Sequence, residues 1–508
     1  MSDTPAAYAA LLERAAELAD LRGIGALLWW DQSTKMPDAG ARSRAQQVET
    51  LERITHHKAT DPEIGRLLDE LEPWAGSLDP DSIEARALNA VRRDFEKAVR
   101  VPDDLAAEMA GAAALGEQAW MRARAAGEFR LFRDALARQV ELRHRYTILF
   151  PEAEHPYDVL LDDYEPEATL AEIRPLFTEL REGLLPLVAE ARGDGDGPAE
   201  ALPGAIPAAS QEAFMVELLR AHGYDPRAWR LDATVHPFAM SIGVGDTRLT
   251  TAYLATGLDM AFWSCLHEYG HGLYESGIDT ALRRHPLGST VSLGVHESQS
   301  RMWENAIGRS RPFCEWVTPR LATAFPDYFD DLAPDRLFRD ATRVRPSLIR
   351  IHADETTYNL HIVLRLDLEV RLFGGDLRVD ELPEAWDAGM HELLGVEVPD
   401  VSHGVLQDVH WGAGLMGYFP TYALGNLMSA QFWATLRREL GDVDGMLAQG
   451  DTAELREWLR ERIHRHGRTF PARELLRRVT GEELQVQPFL RYLRQKLADA
   501  GHLGAGAA

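Results

Sequence analysis

Apolar residues recur at intervals of three and four through most of the chain, as in AAYAALLERAAELADLRG (6–23) and SIEARALNAVRRDFEKAVR (82–100). That spacing lays one apolar stripe along an α-helix. Pro and Gly divide these stretches, so the first two hundred residues read as antiparallel helices. The segment ARGDGDGPAEALPGAIPAAS (191–210) is rich in Gly, Pro and Asp, which suit neither helix nor strand, and it reads as a loop at a lobe boundary. The period changes at HPFAMSIGVGDTRLTTAYL (236–254), where β-branched and aromatic residues flank Gly-Val-Gly-Asp; this predicts a hairpin. Helical spacing returns from about Gly257 to Ser276, with Gly277 placed to cap the end. Beyond residue 290 the pattern is again helical, broken by HWGAGLMGYFPTYALGN (410–426), and charged amphipathic helices run from about 428 onward. The fold class expected is mainly α with one small antiparallel sheet. It forms a single large domain, 1–508, in two lobes: a helical N-terminal lobe or lid (1–200) and the remainder (201–508).

Charge narrows the partners. Against 54 Lys and Arg stand 80 Asp and Glu, a formal net charge of −26, which repels nucleic acid and anionic membranes. No apolar run is long enough to span a bilayer. The N-terminal segment carries Asp3 and Glu13 where a signal peptide needs a basic start and an unbroken apolar core. The two cysteines, Cys265 and Cys314, are too few for a disulfide framework and are expected as buried thiols. The expected location is the cytoplasm.

The chemistry concentrates in AFWSCLHEYGHGLYESG (261–277). On a helix His267 and His271 lie one turn apart on one face, so both rings can reach one ion at about 2.0 to 2.1 Å. Glu268, one step round, can reach water at that ion without being a ligand, as a general base must. A catalytic zinc site needs a third protein ligand and an open position. Glu297 is the first choice, on a helical segment 297–308 that a turn through Gly288 folds back, and Glu304 is the reserve. Glu275 continues along the first helix and points elsewhere. Gly270 and Gly272 each cost roughly 1 kcal/mol inside a helix, which implies a close approach there or tight packing.

Seven ordered stretches, WWDQSTKMP (29–37), HPF (236–238), DTRLT (246–250), HEYGH (267–271), HESQ (296–299), IRIHAD (349–354) and GVLQDVHW (404–411), make the chain resemble the carboxypeptidase Taq family of zinc-dependent metallocarboxypeptidases over nearly its whole length. The resemblance implies a helical fold of the neurolysin-like, gluzincin type with a deep groove. It also implies one zinc ion on His267, His271 and Glu297, with cobalt as a possible substitute. Glu268 is then the base, single residues are removed from peptide C-termini, and the enzyme is a homodimer.

Further roles follow from what the reaction needs. The oxyanion needs a movable donor, and Tyr422 on its Gly-bearing segment is the first candidate, with Tyr418 its rival. His236 and His410 are candidates for added hydrogen bonds, by resemblance to helical zinc peptidases with auxiliary histidines, or are ordinary core histidines. The terminal carboxylate calls for a guanidinium, and Arg350 is chosen; its alternative is an ion pair with Asp354 one turn on. Arg248 either lines the groove or, as favoured, braces the turn through Asp246. The edge of the hairpin can add main-chain bonds to an extended peptide, while WWDQSTKMP is expected to pack among the N-terminal helices. Two rival functions are an endopeptidase or oligopeptidase on the same zinc chemistry, and a helical binding protein whose structural zinc is closed by His296.

Overall fold

Local caps explain where the helices around the site begin. In the computed structural model, which describes residues 4–191 and 200–504, most of the loop read at 191–210 (192–199) lies outside the described residues. Eight helices precede it: α1 (Ala6–Thr34), α2 (Ala41–Ala59), α3 (Pro62–Ala75), α4 (Ile83–Arg100), α5 (Asp103–Ala126), α6 (Arg130–Thr147), α7 (Pro156–Asp162) and α8 (Leu170–Ala191). The Ser82 hydroxyl accepts from the Ala85 N–H at the start of α4, and Lys97 and Arg100 sit in its last turn against the helix dipole. After α9 (Ala208–Ala221) come β1 (Trp229–Ala233), β2 (Ala239–Gly243) and β3 (Asp246–Thr251), then α10 (Asp259–Gly277) and α11 (Leu293–Arg301). The protein is 68% helical, as the periodicity predicts.

The hairpin forms as expected, with β2 antiparallel to β3. The sheet is nevertheless mixed, not wholly antiparallel: β1 pairs parallel to β3, giving the order β1-β3-β2. WWDQSTKMP, largely the end of α1, meets the N-terminal helices, where Asp31 pairs with Arg44 of α2 at 2.6 Å, and also this sheet. Trp29 packs on Phe238, Trp30 lies under Arg248, and Lys35 pairs with Asp232 at 2.8 Å.

Two apolar cores result. A small one joins α1, α3 and α4 to Ile278, Leu282 and Leu287, while the large one runs from Ala119 to the C-terminal helices. Within the large core α10 and α11 lie against each other. A Cβ on Gly270 would stand 2.4 Å from the Gln299 carbonyl oxygen, so glycine is what lets the α11 backbone come this near. Gly272 makes the matching space for Trp229 and Leu249 of the sheet. Gly277 does not take the left-handed conformation of a capping glycine; it is the last residue of α10 and leaves room for His464. Both cysteines are free and fully buried, and burial pushes their thiols up to about 12. No described helix is long and apolar enough to cross a membrane.

Candidate active site

Ser292 starts α11 by accepting from the Val295 N–H at 3.1 Å, and buried Glu165 accepts from the Gly294 N–H beside it. These caps fix the helix so that Glu297, on its second turn, faces α10. The helix Pro420–Leu440 closes from behind: a Cβ on Gly425 would stand 2.7 Å from Cβ and Cγ of Glu297. Helical structure continues past α11 as a π-helical turn, Met302–Gly308, and this widened turn carries Glu304.

His267, His271 and Glu297 converge. Their potential ligand atoms all lie within 4.8 Å of one another, and Oε2 of Glu297 is 3.6 Å from Nε2 of His267 and 3.5 Å from Nε2 of His271. Ligands about 2.0 to 2.1 Å from a tetrahedral ion stand about 3.4 Å apart, so the donor set fits a divalent cation with little movement. His296 is outside the cluster. Its Nε2 bonds Oε1 of Glu275 at 3.1 Å and its ring stacks on His271 at 4.2 Å, so it orients a ligand and does not close the site.

Two of the three ligands, His267 and Glu297, are held by hydrogen-bond partners, whereas Nδ1 of His271 has none among the described residues. The His267 Nδ1–H donates to Oε2 of Glu304 at 2.9 Å, which leaves the Nε2 lone pair facing the cluster. Glu304, the reserve ligand, thus acts behind His267, and Arg301 and Arg309 donate to it at 3.2 and 2.6 Å. Arg301 also donates to Oε1 of Glu297 at 2.6 Å, and the Ser300 hydroxyl donates to Oε2 at 3.0 Å.

These contacts set the charges. Burial opposes ionisation of Glu297 and Glu304, but the neighbouring arginines and His267 outweigh it and hold both well below the usual carboxylate range. Burial likewise disfavours a charged His267, yet Glu297 and the Glu304 bond raise its pKa; His271 is pulled down to about 3 by burial and by His296, which outweigh its contact with Glu297. Glu268 is 5% exposed, and burial lifts its carboxyl to about 7. A dication alongside would favour its ionised form.

A second polar group lies beyond Glu297. Arg350 is 5% exposed and pairs with Asp408, not with Asp354: its Nη2 and Nε donate to Oδ1 at 2.8 and 3.1 Å. Asp354 instead caps the helix Glu355–Gly374, accepting from the N–H groups of Thr356 and Thr357. Arg365 donates to Oδ2 of the same Asp408, so two buried guanidiniums share one carboxylate and one positive charge is left over. Arg350 Nη1 also donates to the Tyr358 hydroxyl at 2.9 Å, and its guanidinium carbon lies 4.9 Å from the Tyr422 ring centre.

Tyr422 and His410 meet there, Oη to Nε2, at 3.2 Å, and the Tyr418 ring is 5.4 Å from that of Tyr422. Burial raises both phenols, to about 12 for Tyr418 and well above the usual value for Tyr422, so both stay protonated donors. Their segment is pinned by Glu369, which accepts from Trp411, Tyr157 and the Gly417 N–H at 2.7, 2.6 and 3.0 Å.

Two of the sequence candidates stand apart. Arg248 is bidentate to Asp246 at 2.9 and 2.8 Å and covers Trp30, which is the bracing role. His236 is exposed on the turn ahead of β2, and among the described residues no hydrogen bond or ring contact joins it to the histidine cluster.

Comparison with known proteins decides the family. Residues 10–497 match the carboxypeptidase Taq (M32) metallopeptidase family. The chain belongs to that family. It is a metallocarboxypeptidase with a His-His-Glu candidate metal site. It is 44% identical to thermostable carboxypeptidase 1 of Thermus thermophilus over 97% of this chain and 98% of the relative. Carboxypeptidase 1 of Bacillus subtilis is 34% identical, over 93% and 94%. The crystal structure of an M32 carboxypeptidase from Deinococcus radiodurans R1 superposes with a TM-score of 0.93 at 38% identity, covering 98% of this chain and 99% of that one. The fold of this metallocarboxypeptidase is therefore the M32 fold.

Arg301, the Asp408–Arg365 pair and the Glu275–His296 link are functional features of the structure beyond those expected from the sequence. Arg301 had a visible signal, four residues after Glu297 on a helix. The other two join segments distant in sequence, which leave no local pattern.

Proposed function

We propose that His267, His271 and Glu297 hold one catalytic zinc ion per chain, with cobalt able to replace it, and that the enzyme releases single residues from peptides with a free C-terminus. The observation that carries this is the 3.5 to 3.6 Å spacing of two imidazole nitrogens around one carboxylate oxygen, with buried Glu268 on the adjacent helical position. Two nitrogens and one oxygen suit zinc and leave a fourth position free. A bound dication would supply Lewis-acid activation of water and of the scissile carbonyl.

The chain's own groups do the rest. Glu268 takes the proton of the attacking water and returns it to the leaving amine, a task for which a carboxyl near neutrality is matched. Tyr422, protonated and oriented by His410, donates to the carbonyl oxygen as it gains charge, with Tyr418 beside it. The unbalanced charge of Arg350 and Arg365 on Asp408 favours an anion, and we assign Arg350 to the substrate carboxylate. Residues 1–200 form the lid of the single domain and 201–508 the metal-binding part. We take the working form to be a homodimer, and the two free thiols fit the cytoplasm.

The test compares a peptide bearing a free C-terminus with its amidated twin, before and after chelation. Stepwise release from the free peptide alone, abolished by chelation and restored by zinc, supports the proposal. Equal cleavage of both peptides favours an endopeptidase.

A further inference from the structure

A cavity of about 680 Å³ opens beside α10, between α1, the hairpin tip and the loop after α10. Its near wall includes Glu275, four residues and so about 6 Å along the helix beyond His271. Glu275 is tied to the cluster through His296, which it bonds and which stacks on His271. The Arg350 pocket is reached from a different ligand. Arg301, which holds Glu297, lies 4.3 Å from the centre of the Tyr358 ring, and Tyr358 accepts from Arg350. Because the two pockets adjoin different ligands of the cluster, a peptide with its terminal carboxylate at Arg350 and its scissile bond at the cluster has its upstream residues free to run toward the cavity. An extended chain covers about 3.3 to 3.6 Å per residue, so residues from about the third before the cleaved bond reach it.

The charges of the wall are asymmetric. Three of its carboxylates are paired with arginines, Asp20 with Arg284, Asp94 with Arg468 and Asp279 with Arg465, and Glu275 is hydrogen-bonded to His296. Among the described residues, Arg22 and Arg283 line the cavity with no carboxylate at ion-pair distance. Arg22 and Arg283 are both exposed to solvent; partial desolvation and the nearby Arg468 pull the Arg22 guanidinium below its ordinary value, partly offset by the charge of Asp94. Two uncommitted cations facing one cavity stand out in a chain of net charge −26. The lining also includes the exposed apolar residues Ile24, Leu27 and Val244.

We propose that this cavity receives the upstream part of the peptide substrate and that Arg22 and Arg283 select acidic side chains there. The proposal rests on the carboxypeptidase site described above and adds a specificity that the catalytic groups do not determine. A peptide with an acidic residue at that depth gains a charge pair with these exposed guanidiniums, while a basic one meets like charge.

The experiment measures kcat/KM for release of Leu from the acetylated peptides Ala-Ala-Xaa-Ala-Ala-Leu, with Xaa either Glu or Lys. For the wild-type enzyme the Glu peptide is expected to be better by about fivefold. The ratio should fall toward one in Arg22→Ala/Arg283→Ala and below one in Arg22→Glu/Arg283→Glu, and 0.5 M NaCl should reduce it in the wild type. A wild-type ratio near one, or a ratio unmoved by both double substitutions, overturns the proposal. An N-acylated dipeptide, too short to reach the cavity, separates the two levels. If the wild type cleaves neither it nor the longer peptides, the underlying site reading fails and takes this one with it. Cleavage of all three without preference between Glu and Lys defeats only the role of the cavity.

Discussion

Arg301 donates to Oε1 of Glu297 at 2.6 Å, which leaves Oε2 as the oxygen turned toward both imidazoles. One cation thereby fixes both the charge and the orientation of the third ligand. Substitution of Arg301 by Gln should therefore weaken the metal site without removing a ligand. We expect zinc affinity to fall about 10- to 100-fold in competition with a chelator, the usual cost of losing such a partner. An unchanged affinity would show that Glu297 needs no such orientation.

Glu268→Gln keeps the shape of the side chain and removes the base. The expected result is a fall in kcat of about 10² to 10⁴ with full metal content. Activity near the wild-type level would assign the proton transfer to another group.

Asp408 keeps Arg365 when Arg350 is removed, so Arg350→Ala does not strand a buried carboxylate. The protein should fold, and the loss should appear in substrate recognition. We expect kcat/KM for a free peptide to drop by about 3 kcal/mol or more, with the preference over the amidated peptide largely gone. A variant that keeps that preference would locate the carboxylate elsewhere.

Buried Glu165 predicts a pH dependence of stability. Burial raises its pKa from 4.5 to about 8, so between those values the folded state binds more protons than the unfolded one. Its contribution is fully present below about pH 4.5 and is lost as pH rises toward 8, a change of about 5 kcal/mol at most. Glu165→Gln, whose amide oxygen can still accept from Gly294, should remove that part of the slope. Urea midpoints measured from pH 5 to 8.5 test this, and parallel curves for the two proteins would contradict it.

The parts of this site legible in the sequence are those with a short repeat. His267, Glu268 and His271 share one helix, and the period of that helix identifies their common face. Glu297 was legible because a turn and a returning helix fit between it and His271. The hairpin was visible from its turn and its alternating residues, whereas β1 was not, because its parallel pairing with β3 depends on a crossover that no local pattern encodes. Arg350 shows the same limit. The local partner, Asp354, is four residues away, but the observed one, Asp408, is 58 residues away. Glu304 turned from possible ligand into the partner of His267 because a π-helical turn alters the direction of its side chain relative to an α-helix.

Anomalous diffraction at the zinc edge, from crystals of the protein grown with the metal, tests the central claim most directly. One peak per chain is expected, about 2.0 to 2.2 Å from Nε2 of His267, Nε2 of His271 and Oε2 of Glu297, with no fourth protein ligand. A peak closed by a fourth side chain such as His296, or a zinc ion bound elsewhere with this cluster empty, would contradict it.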